Sequence, residues 1–354
     1  MTRWLIPISA LLALTGCYAS HGVLEDFECP EGEPDAPEDV PPVDLLFVVD
    51  DSESMEEEQE ALRLAFDDIL RWLVTGDVGD DGIADFPAIE DLHVGVVTTD
   101  LGVPIGSSCG RGAPGGALRG TECSGPPAYV AVDPMSPDAS VERFACAASV
   151  GTSGCAVEQP LEAALLATND EVDGVAMPEL VGQAGRTNRG FLRPGSVRIV
   201  VIVTDEDDAS IADPAFYRET IPGGPAARAR AEAAAAHPIA RYVEAFTRMG
   251  AEGGGFGLEI VAGVPPELVG SAPTAILSHP RMQRRYAPTS LTGIESSCRS
   301  DRGVAYPPRR LVEAAGELGE RASIHSLCEA DFGAVAVGIA DHVGAIVRRA
   351  TCER

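Results

Sequence analysis

Three short stretches gather more oxygen-bearing side chains than a loop or a helix cap requires. Asp50-Asp51-Ser52-Glu53-Ser54 follows the apolar run 45–49, Thr98-Thr99-Asp100 follows 92–97, and Thr204-Asp205-Glu206-Asp207-Asp208 follows 197–203. A turn would prefer Gly or Pro, and a helix N-cap needs only one of these side chains. Crowded carboxylates repel and raise one another's pKa. A hard divalent cation removes the conflict, because Mg²⁺ and Ca²⁺ take carboxylate, hydroxyl and water oxygens, and Mn²⁺ can take their place. Metal binding is therefore the first chemistry the residue types point to.

The stretches form one site only if the chain brings them together. From residue 44 onward strand-like and helix-like segments alternate. "DLLFVVD" (44–50), "LHVGVVTTD" (92–100) and "VRIVVIVTD" (197–205) are apolar runs of strand length, fit for buried parallel strands. "GLEIVAGV" and "ASIHSLCE" read as further strands. Leu62, Phe66, Ile69, Leu70 and Leu73 repeat at helical spacing behind Glu56, Glu57 and Glu58, where the helix dipole favours acids. Helices are also expected at 158–168, 226–249, in "RRLVEAAGELG" and in "ADFGAVAVGIADHVGAIVRRA". Such alternation predicts an α/β fold, a Rossmann-like mainly parallel central sheet flanked by helices over 44–354. Two disulfide-stapled or proline-rich insertions interrupt it, at about 102–155 and 265–308. In this class the binding crevice lies beyond the carboxyl ends of the strands, where the three oxygen-rich stretches sit.

Asp50-x-Ser52-x-Ser54 after an apolar strand, with a later strand ending in Thr204-Asp205, resembles the von Willebrand factor A (VWA) domain and its metal-ion-dependent adhesion site. The resemblance runs over roughly 43–350 in the order of elements. It implies that Ser52 and Ser54 give hydroxyls to the metal, that Asp50 and Asp205 hold it directly or through water, and that an open position faces a partner's carboxylate. It also implies a threonine from a second loop, shortly before the helix that begins near Glu158. Thr152 in "VGTSGCAVEQP" is one candidate, if that loop is longer than usual; Thr99 is the other. The expected function is thus binding of a protein or other carboxylate-bearing ligand. A scaffold with a vestigial site is the alternative. A metal-dependent phosphatase, with an aspartate attacking phosphorus, is a remote one.

Other features compete with these readings or narrow them. Ser54 followed by Glu57 fits a capping box, which leaves Asp50 and Ser52 unexplained. Asp77, Asp80, Asp81 and Asp85 alternate with glycines and form a candidate second calcium loop, although the EF-hand spacing and closing Glu are absent. No H-E-x-x-H occurs, and a P-loop is impossible in a chain without lysine. The six histidines show no ligand spacing. Binding, not catalysis, is expected.

The chain has 354 residues and a formal net charge of −29, which disfavours nucleic acid and anionic lipid surfaces. "MTRWLIPISALLALTGC" has a basic start and a short apolar stretch ending Leu14-Thr15-Gly16-Cys17. It reads as an export signal over 1–17 that resembles the bacterial lipobox, with Cys17 acylated. Residues 18–43 are acidic and proline-rich, an extended tether. These features predict a cell-envelope lipoprotein held by lipid alone, at the outer membrane, on its periplasmic side or surface. Of nine cysteines, eight remain once Cys17 carries lipid, an even number that suits disulfides in an exported protein. Sequence proximity favours Cys109–Cys123 and Cys146–Cys155, then Cys298–Cys328, leaving Cys29–Cys352.

Overall fold

The computed structural model describes residues 40–353 except 103–114, 179, 214, 217–220 and 291. Cys17, Cys29, Cys109, the export signal and most of the tether lie outside the described residues. The elements in chain order are β1 (Val43–Val49), α1 (Glu56–Thr75), β2 (Leu92–Thr98), α2 (Thr121–Ser124), β3 (Val130–Ala131), α3 (Pro137–Ala148), α4 (Pro160–Thr168), β4 (Val197–Val203), α5 (Pro225–Ala235), α6 (Ile239–Glu252), β5 (Gly255–Ala262), α7 (Pro273–Ser278), β6 (Cys298–Arg299), β7 (Val304–Ala305), α8 (Arg309–Leu318), β8 (Ala322–Ser326) and α9 (Phe332–Cys352).

The central sheet has the order β3-β2-β1-β4-β5-β8. All its pairings are parallel except β2 with β3. The α/β class expected from the alternation is therefore the one observed. Successive side chains of a strand point to opposite faces. Leu45, Phe47 and Val49 accordingly enter one apolar layer, which also holds residues of α1, α3 and α9. Leu46 and Val48 enter the other, with residues of α4, α6 and α8. Burial on both faces is why β1 and β4 read as unbroken apolar runs.

Register matters most for the site. Val49 pairs with Thr98 on one side and with Val203 on the other. The next residues, Asp50, Thr99 and Thr204, therefore emerge level with one another at the carboxyl edge.

Several expectations need correction. The single helix expected over 226–249 is two, α5 and α6, because Pro238 cannot donate to a helix and disfavours helical backbone in the residue before it. Ala236, in that break, instead bridges Ile211. The stretch 102–155 is more than a stapled loop: α2, β3 and α3 occupy its second half. Their packing also changes the cysteine pairing. Cys123 of α2 bonds to Cys146 of α3, with a Cα–Cα distance of 5.8 Å. Neither Cys109–Cys123 nor Cys146–Cys155 forms, since a helix that folds back against its predecessor outweighs closeness in sequence. Cys298 and Cys328 are joined across a Cα–Cα distance of 6.1 Å. Cys155 and Cys352 are also disulfide-bonded.

At the opposite edge of the sheet, Asp44 of β1 is 1% exposed. Its carboxylate accepts the Arg193 backbone N–H and Nε–H, each at 2.7 Å, and the Ser196 hydroxyl. Removing one partner of a buried ion pair strands the other charge, at a cost of about 3–5 kcal/mol. Arg193→Ala is expected to lose stability on that scale in urea unfolding; a loss under about 1 kcal/mol would show that water repairs the gap.

Candidate functional site

Asp50 is fully buried at the end of β1, and its conformation is set by its neighbours. Its Oδ1 accepts the Ser52 backbone N–H at 2.8 Å and its Oδ2 the Thr204 hydroxyl at 2.7 Å. Gln59 of α1 donates to the Asp50 carbonyl at 3.0 Å and to the Gly151 carbonyl at 2.8 Å, so one amide ties β1 to the loop before α4. The Ser52 and Ser54 hydroxyls lie 3.0 Å apart. A 3₁₀ turn over Glu53–Met55 comes between them and α1, whose N-cap Met55 makes no side-chain capping bond. The capping box expected of Ser54 and Glu57 is therefore not formed, because the 3₁₀ turn takes the residues it needs.

Asp205 follows Thr204 at the end of β4. It is 0% exposed, and neither carboxylate oxygen has a hydrogen-bond partner. Burial above all, then the charges of Asp50 and Glu206, push its pKa well above the usual carboxylate range; the nearby Ser54 hydroxyl opposes them. An ionised carboxylate held in this way, with nothing to neutralise it, is unfavourable by several kcal/mol.

Glu158, just ahead of α4, completes the cluster. It is 1% exposed; Oε2 accepts the Thr99 hydroxyl, while Oε1 has no partner. Burial, followed by Asp50 and Glu206, raises its pKa well above normal. The segment carrying Glu158 is stitched to the β4 loop from several directions. The Leu161 N–H donates to Asp208 at 3.1 Å and the Glu162 N–H to Ser210 at 3.1 Å, so the open amides of the α4 start are capped from β4. The Ala209 N–H donates to the Glu158 carbonyl at 2.7 Å. Three strand ends and one helix start thus bring oxygen-bearing side chains to one edge of the sheet.

The remaining acids divide into two groups. Asp207 and Asp208 are structural: Arg284 and Arg310 pair with them, and Arg310 Nε lies 3.0 Å from Asp208. Glu206 has only opposing influences around it, burial first, then Asp50 and Glu232 against Arg228, and its pKa rises to about 8. Glu58 on α1 is 2% exposed with one unpartnered oxygen. Its pKa rises to about 7, chiefly by burial. Asp51 reaches about 7 by burial and the charges of Asp100 and Asp50.

Among the sequence candidates, Asp50, Ser52, Ser54 and Asp205 share one edge of the fold. Thr152 is half-buried in the loop between α3 and α4 and makes no hydrogen bond from its side chain among the described residues. Thr99 is fully buried and holds Glu158. The Asp77–Asp85 loop turns its carboxylates on its own backbone. Asp77 accepts the N–H groups of Asp81 and Gly82, Asp85 that of Val78, and Asp81 that of Ile83. Amides thus engage both oxygens of Asp77 and one each of Asp81 and Asp85. Sequence reasoning missed Glu158 and Glu58, each of which reads alone as an acid in a first helical turn.

Could the cluster around Asp50 accept a cation? Among the described residues no three His, Cys, Asp or Glu side chains already stand as a metal-holding group. The donor chemistry nevertheless fits one. Asp205 is buried, carries two unpartnered oxygens and has a raised pKa beside Asp50 and the Ser54 hydroxyl, a combination that a divalent ion relieves.

No protein-family model matches the chain, and no curated protein matches it. Among solved structures, the pilus adhesin SpaC from Lactobacillus rhamnosus GG is similar in two forms, one in an open conformation. Both alignments are 18% identical, cover 51% of this chain and have a TM-score of 0.25. The chain spans 16% and 17% of those proteins. A likeness so partial carries no argument about what this chain binds.

Proposed function

We propose that this protein is an exported, lipid-anchored binding module of the VWA type, located in the bacterial cell envelope, whose carboxyl-edge cluster holds one divalent cation, Mg²⁺ or Ca²⁺. Asp50 and Asp205 supply charge, Ser52 and Ser54 supply hydroxyl oxygens, and an oxygen from a partner completes the shell. The observation that carries this reading is Asp205: fully buried, with both carboxylate oxygens unpartnered. A purely structural aspartate in that position would need hydrogen-bond donors. A cation bound there would supply a fixed positive charge for a partner's oxygen to meet. The protein residues orient it, since Thr204 and the Ser52 amide hold Asp50 in one conformation. Binding, and not turnover, is part of this proposal; it is supported by Arg284 and Arg310, which are committed to Asp207 and Asp208.

Calorimetric titration of Mg²⁺ and Ca²⁺ into the disulfide-intact protein tests this. About one ion is expected to bind the wild type, with a Kd in the micromolar to millimolar range seen for protein calcium sites outside dedicated buffers. Asp50→Ala should abolish that binding. Heat absent in both proteins would sink the metal site and leave the scaffold reading.

A further inference from the structure

Beside the loop that follows β4 lies a cavity of about 30 Å³, room for about two water-sized groups. It is bounded by that loop, the segment ahead of α4, one face of α5 and parts of the excursion 284–307. Ala229 and Ala233, four apart on one face of α5, line it and offer nothing beyond Cβ, so the helix leaves the space unfilled. Gly293, between the lining residues Thr292 and Ile294, has φ 77° and approaches the start of α5 closely. A Cβ there would sit 2.3 Å from the Pro225 carbonyl carbon. The excursion is thus pressed against α5, and the cavity is built into the fold.

Five acids line the cavity, and arginines hold three of them. Arg284 pairs with Asp207, Arg310 Nε lies 3.0 Å from Asp208, and Arg228 Nε lies 2.8 Å from Glu232. The other two acids have no such partner. Glu206 makes no hydrogen bond or ion pair from its side chain among the described residues. Glu158 is 1% exposed; Thr99 holds its Oε2, and its Oε1 is buried without a partner. Buried carboxylate oxygens call for donors. The lining acids are not grouped as metal ligands. A primary ammonium suits them better: it has three N–H donors and no acceptor, and with its first carbon it matches two water-sized positions. A guanidinium, with three nitrogens around a carbon, exceeds them.

We propose that this cavity is a recognition pocket for a primary ammonium group, with Glu206 and Glu158 as its acceptors, presented by a lysine side chain or a free alkylamine. The chain has no lysine of its own, so a lysine in the pocket comes from another molecule. The net charge of −29 favours the approach of such a cation. This pocket goes beyond the metal-site reading and stands without it.

The test uses the full chain with its disulfides intact, in chelator and at about pH 8.5, where an alkylammonium keeps its charge. Saturation-transfer NMR follows n-butylammonium, tetramethylammonium (the same charge without an N–H) and the peptide acetyl-Gly-Lys-Gly-amide at constant ionic strength. Circular dichroism confirms that each variant is folded. The wild type is expected to bind n-butylammonium saturably and to discriminate against tetramethylammonium. Glu206→Gln should weaken n-butylammonium about 10-fold or more, because it removes a charge-assisted acceptor. Ala233→Leu should do the same by filling the cavity from an exposed position on α5. Binding of the peptide as well would assign the pocket to a partner's lysine, and binding of the amine alone to a small amine. Equal affinity for the two ammonium ions would reduce the effect to surface charge and overturn the pocket. Unchanged affinity in both variants, or no saturable binding by the wild type, would overturn it too.

Discussion

Calcium should raise the melting temperature of the metal-free protein, and Asp205→Asn should erase that rise while increasing the metal-free melting temperature itself. The two effects have opposite signs because the same buried charge is a cost without a cation and a ligand with one. Asp205 is fully buried, and burial with the Asp50 and Glu206 charges holds its pKa well above the ordinary carboxylate range. A carboxyl group whose folded pKa exceeds its unfolded value of about 3.9 is favoured in its protonated form by folding. Its contribution to stability therefore falls as pH climbs from about 3.9 toward the folded pKa, and at neutral pH it is a penalty. Asparagine keeps the shape and cannot ionise, so the metal-free variant should gain on the order of 1–3 kcal/mol. For a chain this long each kcal/mol corresponds to about 2 °C. Calcium at about a hundred times its Kd should add about 2.7 kcal/mol to the wild type and nothing to the variant. Scanning calorimetry in chelator and in calcium reads both numbers. A variant less stable in both buffers, beside a wild type indifferent to calcium, would make Asp205 an ordinary structural residue.

The sequence carried much of this arrangement because the physics that builds it is local. β1, β2 and β4 are covered on both faces, so they appear as apolar runs, and their ends are marked by a change from apolar to oxygen-bearing residues. Register then makes three separate ends one edge, which no single stretch announces. What could not be read depended on packing between distant segments. Asp205 and Asp208 look alike in sequence, but Arg310 neutralises only the second and sits about a hundred residues away in the chain. Glu158 looks like any acid ahead of a helix. Pro160 at the first helical position was the available signal that Glu158 lies outside the helix, where its side chain is free to turn to the sheet edge. The threonine that matters, Thr99, holds this acid and so acts one step away from the cluster's centre. The disulfides failed for a similar reason, because α3 returns Cys146 to Cys123 against the trend of sequence proximity.

A second large effect is expected far from the cation cluster, where an acid is buried in the middle of the sheet. Glu259 of β5 is 0% exposed. Its carboxylate meets His325 Nε2 of β8 at 3.0 Å and His342 Nδ1 of α9, while His342 Nε2 lies 3.1 Å from the Glu320 carbonyl. With acceptors at both ring nitrogens, His342 is placed to donate twice, as an imidazolium. Burial alone would pull its pKa down, but the Glu259 hydrogen bond and charge and the Glu320 carbonyl outweigh burial and raise it; Arg349 opposes them. For Glu259, burial pushes upward, and the two histidines outweigh it and hold the pKa below its usual value. The two signs define a window. The raised histidine contributes fully below its unfolded pKa of about 6.5, and that contribution is lost as pH rises through the folded value. The depressed glutamate contributes above its unfolded pKa of about 4.3, and that contribution is lost as pH falls through the folded value. Stability from the triad should therefore peak between about pH 4.3 and 6.5 and decline toward alkaline pH. Glu259→Ala leaves His342 without its buried partner and opens a gap between the sheet and α9, so a loss of about 3–5 kcal/mol is expected near pH 5.5. The loss should be smaller at pH 8.5, because the wild type forfeits the pairing as pH rises through the raised folded pKa of His342. Guanidinium unfolding of both proteins at the two pH values measures this difference. An equal loss at both would mean that Glu259 stabilises α9 by packing and not by charge.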